Sequence, residues 1–168
     1  MNHDFIPKDL ERAYQSLTDN LIEQIDWCYE RAGSVDLIRT HGDCHIGNIL
    51  WNDDGPHLVD LDDSRMTPAI QDLWMFLSGD RTDQEATLAR LLEGYTRFYE
   101  FDARQLHLVE ALRTLRLIHH YAWLARRWTD PAFPRAYPWF NSQRCWEQHI
   151  LDLREQAALM SEHPLKVS

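Results

Sequence analysis

Leu10, Tyr14, Leu17, Leu21, Ile25 and Cys28 recur at steps of three and four, the spacing of one apolar helix face. Pro7 suits a first helical turn and Gly33 a helix stop, so the pattern predicts a helix from Pro7 to about Ala32. The texture then changes. Val35 to Arg39 alternates like a short strand, and residues 41–48 carry two glycines and no apolar period. Ile49-Leu50-Trp51 and His57 to Leu61 flank Asn52-Asp53-Asp54-Gly55-Pro56, a strong turn signal. Residues 35–63 therefore read as a loop followed by a β-hairpin. Helical spacing returns over Pro68 to Leu77, Asp83 to about Glu100, Ala103 to about Trp128, and Ser142 to Met160. Asp130 to Pro138 holds three prolines and reads as a helix-breaking loop. The expected fold class is α+β, mainly α, with one small hairpin.

Composition narrows the picture. The chain has 168 residues, 44% of them hydrophobic, so one domain with a packed core is expected over 1–168. No apolar run is long enough to span a membrane, and the N-terminus has no basic start followed by an apolar stretch. Lys and Arg number 17 against 27 Asp and Glu, a net charge of −10. That balance argues against nucleic acid and anionic membrane as partners. Cys28, Cys44 and Cys145 are odd in number and far apart, which fits reduced thiols in a cytoplasmic protein. The pair Arg126-Arg127 reads first as a dipole-favoured helix end, with substrate docking as the sharper alternative given the Trp and Pro around it. Of His119-His120, in a long helix, one is expected to pack and the other to face solvent.

Chemistry concentrates in the polar loop and hairpin, where Asp, His and Asn are denser than core building requires. Asp43 and Asn48 stand five apart in one loop, and Asp60 follows twelve residues later in Leu58-Val59-Asp60-Leu61-Asp62. Phosphoryl transfer needs such a set. One carboxylate orients the acceptor hydroxyl and takes its proton. A second carboxylate and an amide oxygen hold Mg²⁺, a hard ion that prefers oxygen ligands. Two other readings compete. His41, Asp43 and His45 could form a transition-metal site, and Cys44 could act as a redox thiol, although acidic neighbours disfavour its thiolate.

The loop His41-Gly42-Asp43-Cys44-His45-Ile46-Gly47-Asn48 resembles the His-Gly-Asp-x-His-x-x-Asn loop of the aminoglycoside phosphotransferase and choline kinase family, which has a protein-kinase-like fold. Val59-Asp60-Leu61-Asp62-Asp63 stands in the place of that fold's Asp-Phe-Gly motif, and Gln71-Asp72-Leu73-Trp74 resembles the Asp-Leu helix start that follows. The likeness is close over about residues 35–140. It implies the C-terminal lobe of a kinase-like phosphotransferase, with the catalytic loop and metal-binding hairpin at 35–63. It also implies roles. Asp43 is the catalytic base, Asn48 a Mg²⁺ ligand and Asp60 the principal Mg²⁺ ligand at the catalytic centre. His41 and His45 stabilise the loop, Asp72 accepts hydrogen bonds from loop backbone, and Asp62 supports the metal site. ATP with Mg²⁺ is the implied phosphoryl donor. A likeness within the family to bacterial serine/threonine kinases favours a protein Ser or Thr as acceptor, with a small-molecule alcohol as the alternative.

The chain departs from a complete family member, which carries an N-terminal lobe with a phosphate-covering loop and a strand lysine. Here the six glycines include no Gly-x-Gly, and the only lysines are Lys8, before a helix, and Lys166, near the end. The expectation is a C-terminal lobe alone, inactive without an N-terminal lobe supplied in cis or in trans. A non-catalytic interaction module derived from a kinase is the contrasting expectation.

Overall fold

The computed structural model describes residues 5–167. Among the described residues the chain divides into two compact units, one formed by residues 5–27 and 113–162 and the other by 28–112 and 163–167. The elements are α1 (Lys8–Ala32), β1 (Ile38–Thr40), β2 (Ile49–Asn52), β3 (Gly55–Leu58), β4 (Arg65–Thr67), α2 (Arg81–Tyr95), α3 (Val109–Arg127), α4 (Ala132–Ala136) and α5 (Gln143–Met160). Short 3-10 turns fill several of the connections. The fold is mainly helical, as the sequence leads one to expect.

The first unit contains the N-terminal part of α1, α3 from Arg113 onward, α4 and α5. Its core is aromatic. Leu124, Phe140 and Trp146 are buried, with Tyr14, Tyr121, Trp128 and Phe133 packed against them. His149 on α5 is fully buried and stacks face to face on Tyr121, ring centroids 3.5 Å apart. Ser142 caps α5 by accepting from the Cys145 N–H.

The second unit carries every candidate site residue. Its core joins Ile70, Trp74 and Leu77 with Leu88 and Leu92 of α2, and with Leu106, Leu108 and Val109. Helix α1 ends here at Gly33 (φ +63°), whose N–H donates to the Tyr29 carbonyl at 3.0 Å. Asp80 and Asp83 form a reciprocal cap at the start of α2, two residues before the expected start. The C-terminal segment is pinned to this helix. Arg81 Nη2 donates to the carbonyls of His163 and Pro164 at 2.9 and 2.6 Å.

Two antiparallel ribbons, not one, shape the site. The expected hairpin is present as β2–β3, with Ile49 opposite Leu58 and Asn52 opposite Gly55. Its second strand ends at Leu58 instead of Leu61, because Asp60 turns into the left-handed region at φ +64°. The strand expected over 35–39 is confined to β1, which pairs with an unforeseen β4, Thr40 opposite Arg65. Three further expectations are corrected. Residues 68–77 form two 3-10 turns instead of one helix, and the first of them is tied to distant segments through the Ile70 N–H and the Gln71 side chain. Helix α2 stops at Tyr95, and Phe98 beyond it is 90% exposed. Residues 103–108 are a 3-10 turn ahead of α3, and the proline loop contains the short α4.

Candidate active site

Residues 41–48 leave β1 and return to β2, so the two ribbons fix both ends of the loop. Asp72 fixes its first turn. One carboxylate oxygen accepts the His41 N–H at 2.7 Å and the other accepts the Gly42 N–H at 2.9 Å. The neighbouring Gln71 is buried, and its Nε2 donates to the Gly42 carbonyl at 2.8 Å. The 3-10 turn that bears both side chains is itself anchored, as Gln105 Oε1 accepts the Ile70 N–H at 3.0 Å. The peptide ahead of Asp43 is thus gripped on its donor and acceptor sides.

Gly42 is required where it stands. Its φ is +88°, and a Cβ there would lie 2.1 Å from the Asp63 carbonyl oxygen. Buried His41 sits under the loop and bonds through Nε2 to the Val59 carbonyl at 2.8 Å. A carbonyl can only accept, so Nε2 carries the proton. Nδ1 is then left to accept from the Asp43 N–H at 3.4 Å. His45 Nδ1 accepts the Gly47 N–H at 3.0 Å, which leaves Nε2–H facing Asp43 Oδ2 at 3.6 Å. With both His41 ring nitrogens and His45 Nδ1 engaged in hydrogen bonds, the geometry weighs against the His41–Asp43–His45 transition-metal reading. Among the described residues no group of three His, Cys, Asp or Glu side chains is arranged to hold a metal.

Asn48 is buried, and its Nδ2 donates to the Asp43 carbonyl at 3.0 Å. That bond ties the two residues together and leaves Asn48 Oδ1 as the acceptor end. The Asn48 carbonyl accepts the Val59 N–H at 3.1 Å, which sets Asp60 one residue beyond a point of contact with Asn48. Asp60 is exposed, and it is the one non-glycine with positive φ among the described residues. Holding such a residue in this region costs of order 1 kcal/mol and is a common feature of functional sites. An amide oxygen and an uncommitted carboxylate are the hard donors that Mg²⁺ takes, so the residues present fit that ion. Asp62 and Asp63 are exposed in the turn that follows.

Burial raises the Cys44 pKa, and the carboxylates of Asp72 and Asp43 add to the effect. Its thiolate is disfavoured chiefly by desolvation, which weighs against the redox reading. Gln71 and Gln105 escaped sequence reasoning. The only available signal was Gln71's position beside Asp72.

A family model described as the phosphotransferase enzyme family matches residues 4–108. The chain belongs to that family. Stress response kinase A of Escherichia coli strain K12 is 45% identical over 163 residues. The match covers 97% of this chain and 49% of the relative. A protein of Salmonella typhimurium named serine/threonine protein kinase RdoA is 43% identical with the same coverage. The chain therefore spans about half the length of these relatives. The loop, the gripping Asp72 and the hairpin all fall inside the matched family region.

Proposed function

We propose that this chain is the C-terminal lobe of an ATP- and Mg²⁺-dependent phosphotransferase whose acceptor is a serine or threonine hydroxyl of a protein. One observation carries the reading. The loop from His41 to Asn48 is locked by hydrogen bonds that it donates to Asp72 and the Val59 carbonyl and accepts from Gln71, with Asn48 tied to Asp43 and to Val59, the residue before Asp60. The relatives are named kinases, which supports phosphoryl transfer, and one of them is named a serine/threonine protein kinase, which supports a protein hydroxyl as acceptor.

In this reading Asp43 orients the acceptor hydroxyl and takes its proton as the oxygen bonds to the γ-phosphorus of ATP. The bond from that phosphorus to the bridging oxygen breaks, and ADP leaves with the electron pair. His45 Nε2–H faces the Asp43 carboxylate and steadies it. Asn48 Oδ1 and the Asp60 carboxylate would hold Mg²⁺. When bound, the ion screens the phosphate charge. Asp72 and Gln71 touch no reacting atom. They position the peptide that carries Asp43.

The hairpin supports the partial-lobe part of the proposal. Ile46 is 76% exposed and Trp51 75%, with Leu50, Leu58, Leu61 and Met66 also more than half exposed. Such a patch is uncommon on a finished surface. We take it as the face on which the other half of the relatives' length packs, with the nucleotide between. The test is a radiolabelled phosphoryl-transfer assay on a protein carrying both halves, with protein and small-alcohol acceptors compared. The reading requires transfer to a protein hydroxyl that is lost in Asp43→Asn. Transfer to small alcohols alone would replace the acceptor class. Absence of any transfer would leave a non-catalytic module.

A further inference from the structure

The phosphotransferase reading makes no use of the far end of α3 and the segment after it. From Arg126 to Phe140 stand three arginines, Arg126, Arg127 and Arg135, and one carboxylate, Asp130, in a chain of net charge −10. That carboxylate is engaged locally, accepting the Ala132 N–H at 2.9 Å. Arg116, His120, Trp123 and Arg127 follow each other at helical spacing along one face of α3. The Arg127 guanidinium lies 4.8 Å from the Trp123 ring centroid and 6.0 Å from that of Phe133. His120 lies against the same Trp123 ring, nearly parallel to it with centroids 6.0 Å apart. Tyr137 contacts both Trp123 and Phe133, and Trp139, 45% exposed, continues the row beyond it.

His119 and His120 are both exposed, so the expectation that one packs in the core is corrected, although His120 rests its ring on Trp123. Arg126 and Arg127 stand exposed in the last turn of α3, as expected of a dipole-favoured helix end, and Arg127 in addition lies on an aromatic platform. Stacking orders a guanidinium while its N–H edge stays available for a carboxylate. Among the described residues, Arg126, Arg127 and Arg135 are exposed and make no ion pair with a carboxylate. Partial desolvation of the ring against Trp123 and Tyr137, with the charges of Arg116 and His119, lowers the His120 pKa.

We propose that the basic, aromatic face of α3 and α4 is a docking surface for an acidic peptide segment of a protein partner. Charge complementarity selects that occupant. The patch is local, and the rest of an acidic chain repels an extended polyanion such as nucleic acid. A short peptide can place a carboxylate on the Arg127 guanidinium and apolar side chains on Tyr137 and Trp139.

The test uses this chain with a fluorescein-labelled peptide of alternating Glu and Leu, followed by anisotropy at low and moderate salt. The counterpart probe has Gln in place of Glu, and circular dichroism checks that the variants fold. The acidic peptide should bind, weaken as salt rises, and lose at least about tenfold in affinity in Arg127→Gln/Arg135→Gln. Trp139→Ala should weaken it independently of charge, and Asp43→Asn should leave it unchanged. Equal binding of the Gln peptide, no binding of the Glu peptide, or indifference to the arginine variants would overturn the proposal. So would tighter binding of a labelled single-stranded DNA. Self-association in sedimentation velocity that the arginine variants abolish would overturn it in favour of a second copy as occupant.

Discussion

Replacing Asp72 by Ala removes the acceptor for two N–H groups of buried residues, His41 at 2.7 Å and Gly42 at 2.9 Å. Hydrogen bonds to a charged group contribute about 1.5–3 kcal/mol each, and a buried donor left without a partner loses its desolvation energy in full. The expected cost is therefore about 3–5 kcal/mol, a large part of a stability that in domains of this size is about 5–15 kcal/mol. Asp72→Asn should cost less, because its carbonyl still accepts one N–H while its amide nitrogen opposes the other. Gln71→Leu removes one neutral bond to the Gly42 carbonyl and should cost about 1 kcal/mol. The assay is urea denaturation of the chain, with hydrogen exchange at the amides of His41 and Gly42 as the local readout. The order Asp72→Ala, Asp72→Asn, Gln71→Leu in lost stability, with exchange accelerated at those two amides, is the expected result. An unchanged midpoint with unchanged protection in Asp72→Ala would refute the gripping role.

Further outcomes are expected elsewhere. In a protein carrying both halves, Asp43→Asn should lower turnover by about 10²–10⁴-fold with substrate affinity little changed, measured by steady-state kinetics. Asp60→Ala should abolish the Mg²⁺ dependence of ATP binding in calorimetry, and an unaltered magnesium titration would remove it from the metal site. Gly42→Ala should cost more than about 2 kcal/mol in denaturation, since it adds a clash with the Asp63 backbone to an unfavourable φ. Burial, the largest cause, lowers the His149 pKa to about 4 from 6.5. Between those values the unfolded chain binds a proton that the folded chain refuses, so stability falls as pH drops from about 6.5 to 4, by about 3 kcal/mol. His149→Phe should flatten that part of the pH–stability curve.

How much of this was readable in the residues follows from the range of the forces involved. Helices α1 and α5 were legible because a long buried face repeats every three to four residues, and Gly33 and Ser142 mark an end and a start locally. β4 was not, because three residues carry no period and the strand exists only through its pairing with β1. The segment 68–77 misled for the same reason. Its apolar spacing and Pro68 suit a helix, yet the Ile70 N–H is taken by Gln105, 35 residues away. The loop Asp43, Asn48 and Asp60 could be picked out because its spacing is a local property. The Gln71 contact crosses 29 residues, and no local pattern encodes it.

The hairpin carries the same lesson from the opposite side. Leu50, Trp51 and Leu58 read as strand residues, and they are in strands. Apolar identity suggests burial, whereas more than half of each is exposed. Strand formation depends on backbone pairing and needs only the partner across the turn. Burial needs a second surface, and among the described residues none covers these side chains. The residues that satisfied their local rules and failed their global one are those at the proposed nucleotide side of the lobe. A sequence read for fold alone treats them as core; under the proposed function they mark the face on which the other half of the relatives' length would pack.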